Sequence, residues 1–225
     1  MKKNPAPPAP WKLRLIRHPA IDWLHFSIWR LLFGCRLENL PNLPSGPAIF
    51  VGNHGSHFDT FFVHEIFRRR LRRDGHAVAW DQMANIPFVR LVIYGFHAVL
   101  VAPRQEGLAL RQMIRALDSG GDLWVLSEGQ RNDVLGSFHT GAAAASLLTG
   151  CPILPFSLRG VQPLFKNLPW PARIYGDVSV RFHQPLFPEP YRKEFADLRT
   201  AAQAMTAAVR YSVASGIDYP VGSPS

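Results

Sequence analysis

The sequence predicts an α/β fold: a largely parallel mixed sheet flanked by helices. Two observations carry that expectation. Short apolar runs of strand length, bounded by Gly, Pro or charged residues, recur along the middle of the chain. Segments with apolar residues at helical spacing separate them, which is the alternation of a mostly parallel sheet.

Residues 1–10 are Lys- and Pro-rich and are expected to be a disordered lead. Residues 11–38 are expected to be an amphipathic helical segment that contacts a membrane. Pro19 can open a helix at its first turn. Beyond it, Trp23, Leu24, Phe26, Ile28, Trp29 and Leu31 are broken only by Asp22, His25, Ser27 and Arg30. That run is too short to span a bilayer. Its Trp, Phe and Arg content fits a helix lying in a membrane interface, and it equally fits a helix packed on the domain.

The α/β domain is expected over 39–225. Residues 39–47, with three prolines and a glycine, read as the linker into it. Residues 48–51 read as a buried strand. A helix is expected over 60–73, with a basic end at Arg68, Arg69, Arg70, Arg72 and Arg73 and a stop at Gly75. That basic end reads as a solvated helix terminus or a contact for anionic lipid. Strands are expected at 76–80, 98–102, 122–126 and 152–158, with more strand material over 173–181. Helices are expected at 86–94 behind Pro87, at 108–117 before Gly120 and Gly121, and at 141–148. The last of these is built of small residues suited to close packing. A terminal amphipathic helix is expected over 191–214. No internal repeat is present.

Composition narrows the classes. A chain of 225 residues fits one domain with a sizeable core. A formal charge of +9 favours polyanionic partners, whether anionic membrane, phosphorylated substrate or nucleic acid. Nucleic acid is excluded as the expectation because neither zinc-finger spacing nor a basic helix with a heptad is present. The two cysteines, Cys35 and Cys151, are far apart and suit a reducing compartment. The N-terminus has no apolar core of a signal peptide.

The polar residues fall at strand ends. His54 and Asp59 follow the strand at 48–51. Arg104 follows the strand at 98–102, and Glu128, Gly129 and Arg131 follow the strand at 122–126. The carboxyl ends of parallel strands share one edge of the sheet, where sites form. An imidazole beside a carboxylate can act as a general base. Asp59 also fits a helix cap and His54 a loop histidine, and His54, His57 and Asp59 together fit a set of metal ligands. Arg104 and Arg131 suggest a clamp on phosphate or carboxylate. Gly129 permits close backbone approach. Glu128 can hold an arginine, as an ion pair of purely structural worth, or accept from a substrate hydroxyl.

These motifs together resemble the glycerolipid acyltransferases typified by lysophosphatidic acid acyltransferase. Four blocks stand in the family's order between about Pro47 and Gly160. They are Asn53-His54 with Asp59; the strand ending at Arg104; Glu128-Gly129-Gln130-Arg131 followed by Phe138-His139-Thr140-Gly141-Ala142; and Pro152-Ile153-Leu154-Pro155. Ala98 and Pro103 replace the family's Gly and Asp in the second block. Gln130 and His139 replace its Thr and Lys. The resemblance implies transfer of an acyl group from acyl-CoA or acyl carrier protein to the hydroxyl of a lysophospholipid, foremost 1-acyl-glycerol-3-phosphate, with phosphatidic acid as the product. His54 would be the general base and Asp59 its orienting partner, with turn N–H groups over 55–58 as oxyanion donors. Arg104, Glu128, Gly129 and Arg131 would hold the acceptor phosphate. No metal or other cofactor is implied. The expected location is the cytoplasmic face of a membrane, as a peripheral or monotopic protein, with the apolar loop 161–171 as a second contact. The nearest alternative is the same transfer to another lysolipid acceptor; a metal-dependent hydrolase using His54, His57 and Asp59 and a non-catalytic lipid-binding module are the lower rival readings.

Overall fold

Ile49–Gly52 is buried at all of its positions, as a strand must be when both its edges and both its faces are covered. It is β2 of a sheet whose other strands are β1 (Arg36–Glu38), β3 (Gly75–Trp80), β4 (Val99–Val101), β5 (Asp122–Leu126), β6 (Ile153–Arg159) and β7 (Ser179–Phe182). The described helices are α1 (Glu106–Asp118), α2 (Gly141–Thr149), α3 (Pro188–Glu194) and α4 (Leu198–Ala214). The computed structural model describes residues 36–55, 75–85, 97–128, 134–160 and 178–222, with Asp59, Val63, Ile66, Phe67, 71–73, Arg90, Ile93 and Tyr94 between them.

Among the described residues the sheet has seven strands in the order β1-β7-β6-β2-β5-β3-β4. Every neighbouring pair is parallel except β6 with β7. The expected α/β class, largely parallel and flanked by helices, is the observed one. Side chains alternate across the sheet with the period of the pleat. Ile49, Val51, Leu123 and Val125 face the helices, packing with Ala142, Ala143 and Ala145 of α2 and Met205 and Val209 of α4. Phe50, Trp124, Phe156 and Phe182 face the other way and join Phe67. The Phe67 ring lies 4.3 Å from that of Phe50 and 5.3 Å from that of Trp124.

Four expectations change. The sheet takes in Arg36–Glu38, which the sequence assigned to the end of the helical segment; β1 pairs with β7 in the register Leu37 to Val180. Residues 11–35 lie outside the described residues. The helix expected to reach Arg73 has ended by Leu71, and Arg72 adopts a left-handed backbone with φ 52°. The terminal helix is two helices. Phe195 is extended, and Asp197 caps α4 by accepting from Thr200 N–H at 2.9 Å and Thr200 Oγ1 at 2.6 Å. The strand material expected over 173–181 runs one residue further, as Ser179–Phe182, and its first part, 173–177, lies outside the described residues.

Arg73 also differs from its expected role at a solvated or lipid-facing helix end. Its Nε donates to Asp122 Oδ2 at 2.5 Å and its Nη2 to Asp122 Oδ1 at 2.7 Å. Further donations reach the Pro44 and Gly46 carbonyls. Asp122 is 2% exposed and also accepts from Ala48 N–H. The bond to Asp122 raises the guanidinium pKa, outweighing the opposite effect of burial. The pair therefore ties the linker before β2 to the start of β5. Removing one partner of such a pair strands a desolvated charge. Asp122→Ala is expected to lower the free energy of unfolding by about 3 kcal/mol, read from the denaturant midpoint. A midpoint equal to the parent's would remove this role.

His183 follows β7, with Nε2 at 2.7 Å from Ser157 Oγ. Burial, and then the charge of Arg181, lower its pKa from the ordinary 6.5. The unfolded chain therefore binds this proton more readily. The contribution is whole above about pH 6.5 and is lost as pH falls through the lowered folded value. Melting temperature should drop between about pH 7 and pH 5, and His183→Gln should flatten that drop. An unchanged slope in the variant would refute the assignment.

Candidate active site

The site is built where β2 leaves the sheet. Gly52 is the last strand residue, and a Cβ there would come within 2.4 Å of the Phe156 ring, so only glycine lets that ring pack beneath the strand end. Asn53 is fully buried. Its Oδ1 accepts from Leu158 N–H at 2.7 Å and its Nδ2 donates to the Leu158 carbonyl at 3.0 Å. The side chain thus takes over the pairing with β6 that the main chain gives up. The same Nδ2 donates to Tyr219 Oη at 3.0 Å.

His54 is then free to turn. Its N–H donates to Glu128 Oε1 at 2.9 Å. Its Nδ1 lies 3.0 Å from Asp59 Oδ2, which also accepts from Gly55 N–H at 2.7 Å. Asp59 is fully buried, whereas the His54 side chain is 21% exposed. An ionised carboxylate only accepts, so Nδ1 carries the proton and Nε2 keeps its lone pair on a ring that is partly exposed. That is the tautomer of a general base. The turn, rather than a helix face, brings the two residues together.

Glu128 makes its described hydrogen bonds with main-chain groups. It is 5% exposed, and its oxygens accept from two main-chain donors, His54 N–H and Gly136 N–H, each at 2.9 Å. Those bonds make it a brace between the His54 turn and the 134–139 loop. A carboxylate is also a poor ligand for a phosphate, because like charges repel. Of the oxyanion donors expected over 55–58, Gly55 N–H is engaged by Asp59. Residues 56–58 lie outside the described residues, as does His57 of the metal reading.

Arg104 is exposed and left-handed, with φ 63° and its N–H on Glu106 Oε1 at 3.1 Å. Register places it on the expected edge. Val101 pairs with Trp80, Ala77 with Trp124 and Leu126 with Gly52, so both His54 and Arg104 lie beyond the carboxyl ends of their strands. Three strand steps separate β4 from β2, or about 14 Å at ordinary strand spacing. The arginine shares the edge without touching the dyad. Gly129 and Arg131 lie outside the described residues.

Tyr219 is the site neighbour that sequence reasoning missed. It stands alone between Asp218 and Pro220 in a turn-forming tail, where nothing in the spacing points back to Asn53. Burial, then the charge of Glu128, raise its phenol pKa, with Asp59 adding to the effect.

The fold and this edge define an α/β protein with an oriented His–Asp pair at the carboxyl ends of its central strands. The Acyltransferase family model matches residues 34–159, more than half of the chain, and the chain belongs to that family. A 1-acyl-sn-glycerol-3-phosphate acyltransferase of Pseudomonas aeruginosa is 28% identical over 162 residues, covering 68% of this chain and 61% of its own. A chloroplastic 1-acyl-sn-glycerol-3-phosphate acyltransferase of Arabidopsis thaliana is 25% identical, covering 79% of this chain and 50% of its own. The chain thus spans about half to three fifths of the length of these relatives. The crystal structure of the 1-acyl-sn-glycerophosphate acyltransferase of Thermotoga maritima has a TM-score of 0.62 and 23% identity, over 91% of this chain and 85% of that one. It supports the fold.

Glu128→Gln tests the brace. Its amide NH2 would face one of the two main-chain donors, so the turn should shift. Loss of a buried supporting partner of this kind typically lowers activity by roughly 10- to 100-fold, here measured as turnover in the assay described next. Turnover equal to the parent's would remove Glu128 from the site.

Proposed function

We propose that the chain is an acyltransferase that moves a fatty acyl group from acyl-CoA or acyl carrier protein to the free hydroxyl of a lysophospholipid. The foremost acceptor is 1-acyl-glycerol-3-phosphate, with phosphatidic acid as the product. The observation that carries the reading is the approach of His54 Nδ1 to Asp59 Oδ2 at 3.0 Å, with the imidazole partly open. The names of the relatives support the acceptor class.

The chemistry follows from that tautomer. Nε2 takes the acceptor's hydroxyl proton as the oxygen attacks the thioester carbonyl. The imidazolium so formed is stabilised by the Asp59 carboxylate. Collapse of the tetrahedral intermediate breaks the carbon–sulfur bond. The proton on Nε2 then passes to the departing thiolate, and the base is restored. No serine or cysteine nucleophile is needed. Cys151 is half-buried, with its N–H on Thr149 Oγ1, and belongs to packing. Arg104 and Arg131 would hold the acceptor phosphate; Gly129 would let the main chain approach it. A lipid acceptor also requires a membrane surface. The net charge of +9 supports an anionic one, and residues 11–35, ahead of β1, are the proposed anchor. Among the described residues no helix is long and apolar enough to cross a bilayer.

The test is lipid mass spectrometry on protein incubated with acyl-CoAs, or with acyl carrier protein as donor, and liposomes carrying a panel of lysolipids. A diacyl product is expected with lysophosphatidic acid. His54→Ala should lower its formation by roughly 10³-fold or more while the melting temperature holds. A folded, fully active His54→Ala protein would overturn the mechanism, and no product with either donor would overturn the transferase reading. Sedimenting the same liposomes reads the membrane component; protein left wholly in the supernatant would remove it.

A further inference from the structure

The C-terminal segment 215–222 lies beyond the family-matched residues, yet it touches both supports of the His54 main chain. On one side Tyr219 Oη accepts from Asn53 Nδ2 at 3.0 Å, and Asn53 is the residue at which β2 releases His54. On the other side Leu135 N–H donates to the Pro220 carbonyl at 2.9 Å, and Gly222 N–H donates back to the Leu135 carbonyl at 3.0 Å. The next residue, Gly136, gives its N–H to Glu128, whose other oxygen holds His54 N–H. Tail, loop, Glu128, His54 and Asn53 thus form one closed circuit of hydrogen bonds.

The tail is held firmly enough to act as a support. Arg210 of α4 donates to the Gly136 carbonyl at 2.8 Å, to the Leu135 carbonyl at 3.2 Å and to the Gly222 carbonyl. One guanidinium therefore clamps loop and tail together. Gly160 N–H donates to Asp218 Oδ2 at 3.2 Å. At the tail's start Gly216 passes so close to β6 that a Cβ would stand 2.5 Å from Ser157 Oγ.

We propose that this C-terminal strap is part of the acyltransferase site, with Tyr219 as a positioning residue that acts on His54 through Asn53. The inference rests on the reading of His54 and Asp59 as the catalytic pair. Tyr219 receives the Asn53 amide on its oxygen, which leaves its own O–H free to act as a donor. Burial, then the charges of Glu128 and Asp59, keep that phenol protonated. Removing its oxygen costs the buried Asn53 Nδ2 one of its two acceptors, at the residue from which the main chain turns to present His54.

The experiment is Tyr219→Phe in the full chain, which removes one oxygen atom. Tyr211→Phe serves as the control, since Tyr211 is 78% exposed on α4. The His54 ring resonance, assigned by its disappearance in His54→Ala, is recorded by NMR at fixed pH, and turnover is measured on the liposomes above. In Tyr219→Phe that resonance should shift from its parent position, because Asn53 loses an acceptor and the turn it opens moves. The same variant should fall about tenfold in kcat, with KM within about twofold, as expected when a base is misplaced while substrate binding stays intact. Tyr211→Phe should change none of these. A His54 resonance at the parent's position in folded Tyr219→Phe overturns the strap's role, whatever the turnover. Absence of turnover in the parent protein overturns the transferase reading instead, and the resonance still decides the strap.

Discussion

A buried parallel strand must keep its peptide groups hydrogen-bonded up to the residue at which it leaves the sheet. In this protein that residue is Asn53, and much of the site follows from how the requirement is met. The amide side chain satisfies both main-chain groups of Leu158 on β6, so the main chain of β2 can turn away at once. His54 is presented at the rim of the sheet on the first free residue. On the β5 side the last ladder bond, Ser127 N–H to the Gly52 carbonyl, ends at the same level. Glu128 then takes up His54 N–H, which would otherwise be an unmatched donor.

Among the described residues three buried carboxylates are each met by main-chain or charged donors. Asp122 is met by a guanidinium and a main-chain amide, Glu128 by two main-chain amides, and Asp59 by an imidazole N–H and a main-chain amide. Only the last arrangement leaves a reactive group facing outward. The Arg73–Asp122 pair fixes the approach to β2, and Glu128 fixes its exit. The dyad is therefore held from both ends of the strand that carries it, the rigidity that a positioned base requires.

An acyl transfer of the proposed kind asks little covalent chemistry of the protein. It needs a base held in one tautomer, a site for the acceptor's phosphate and a surface from which a lipid can enter. The first is present in the geometry of His54 and Asp59. The second is spread over a wider span of the sheet edge, since Arg104 stands three strands from the dyad. The strap 215–222 adds a support through Asn53 and the loop at Leu135.

Local pattern was enough to determine the α/β class, β2 through β6 within a residue or so, α1, α2 and the residues of the dyad. Those features rest on runs of consecutive apolar residues, helical spacing and a His–Asp motif, all readable within a short window of sequence. Other features depended on partners distant in the chain. Arg36–Glu38 is a strand only because β7, more than a hundred residues later, offers it an edge. Arg73 looked like one of a row of solvated arginines until Asp122 came within 2.5 Å of it. Nothing in the spacing showed that Glu128 would take the N–H groups of the His54 turn and of Gly136. Tyr219 had no signal at all. Sequence by itself marked His54 and Asp59 as candidates for the proposed chemistry, because side-chain type and local spacing are properties of the chain. Tertiary structure decided which residues hold them in place, because a hydrogen bond forms between whichever groups the fold brings within about 3 Å, irrespective of their separation in sequence.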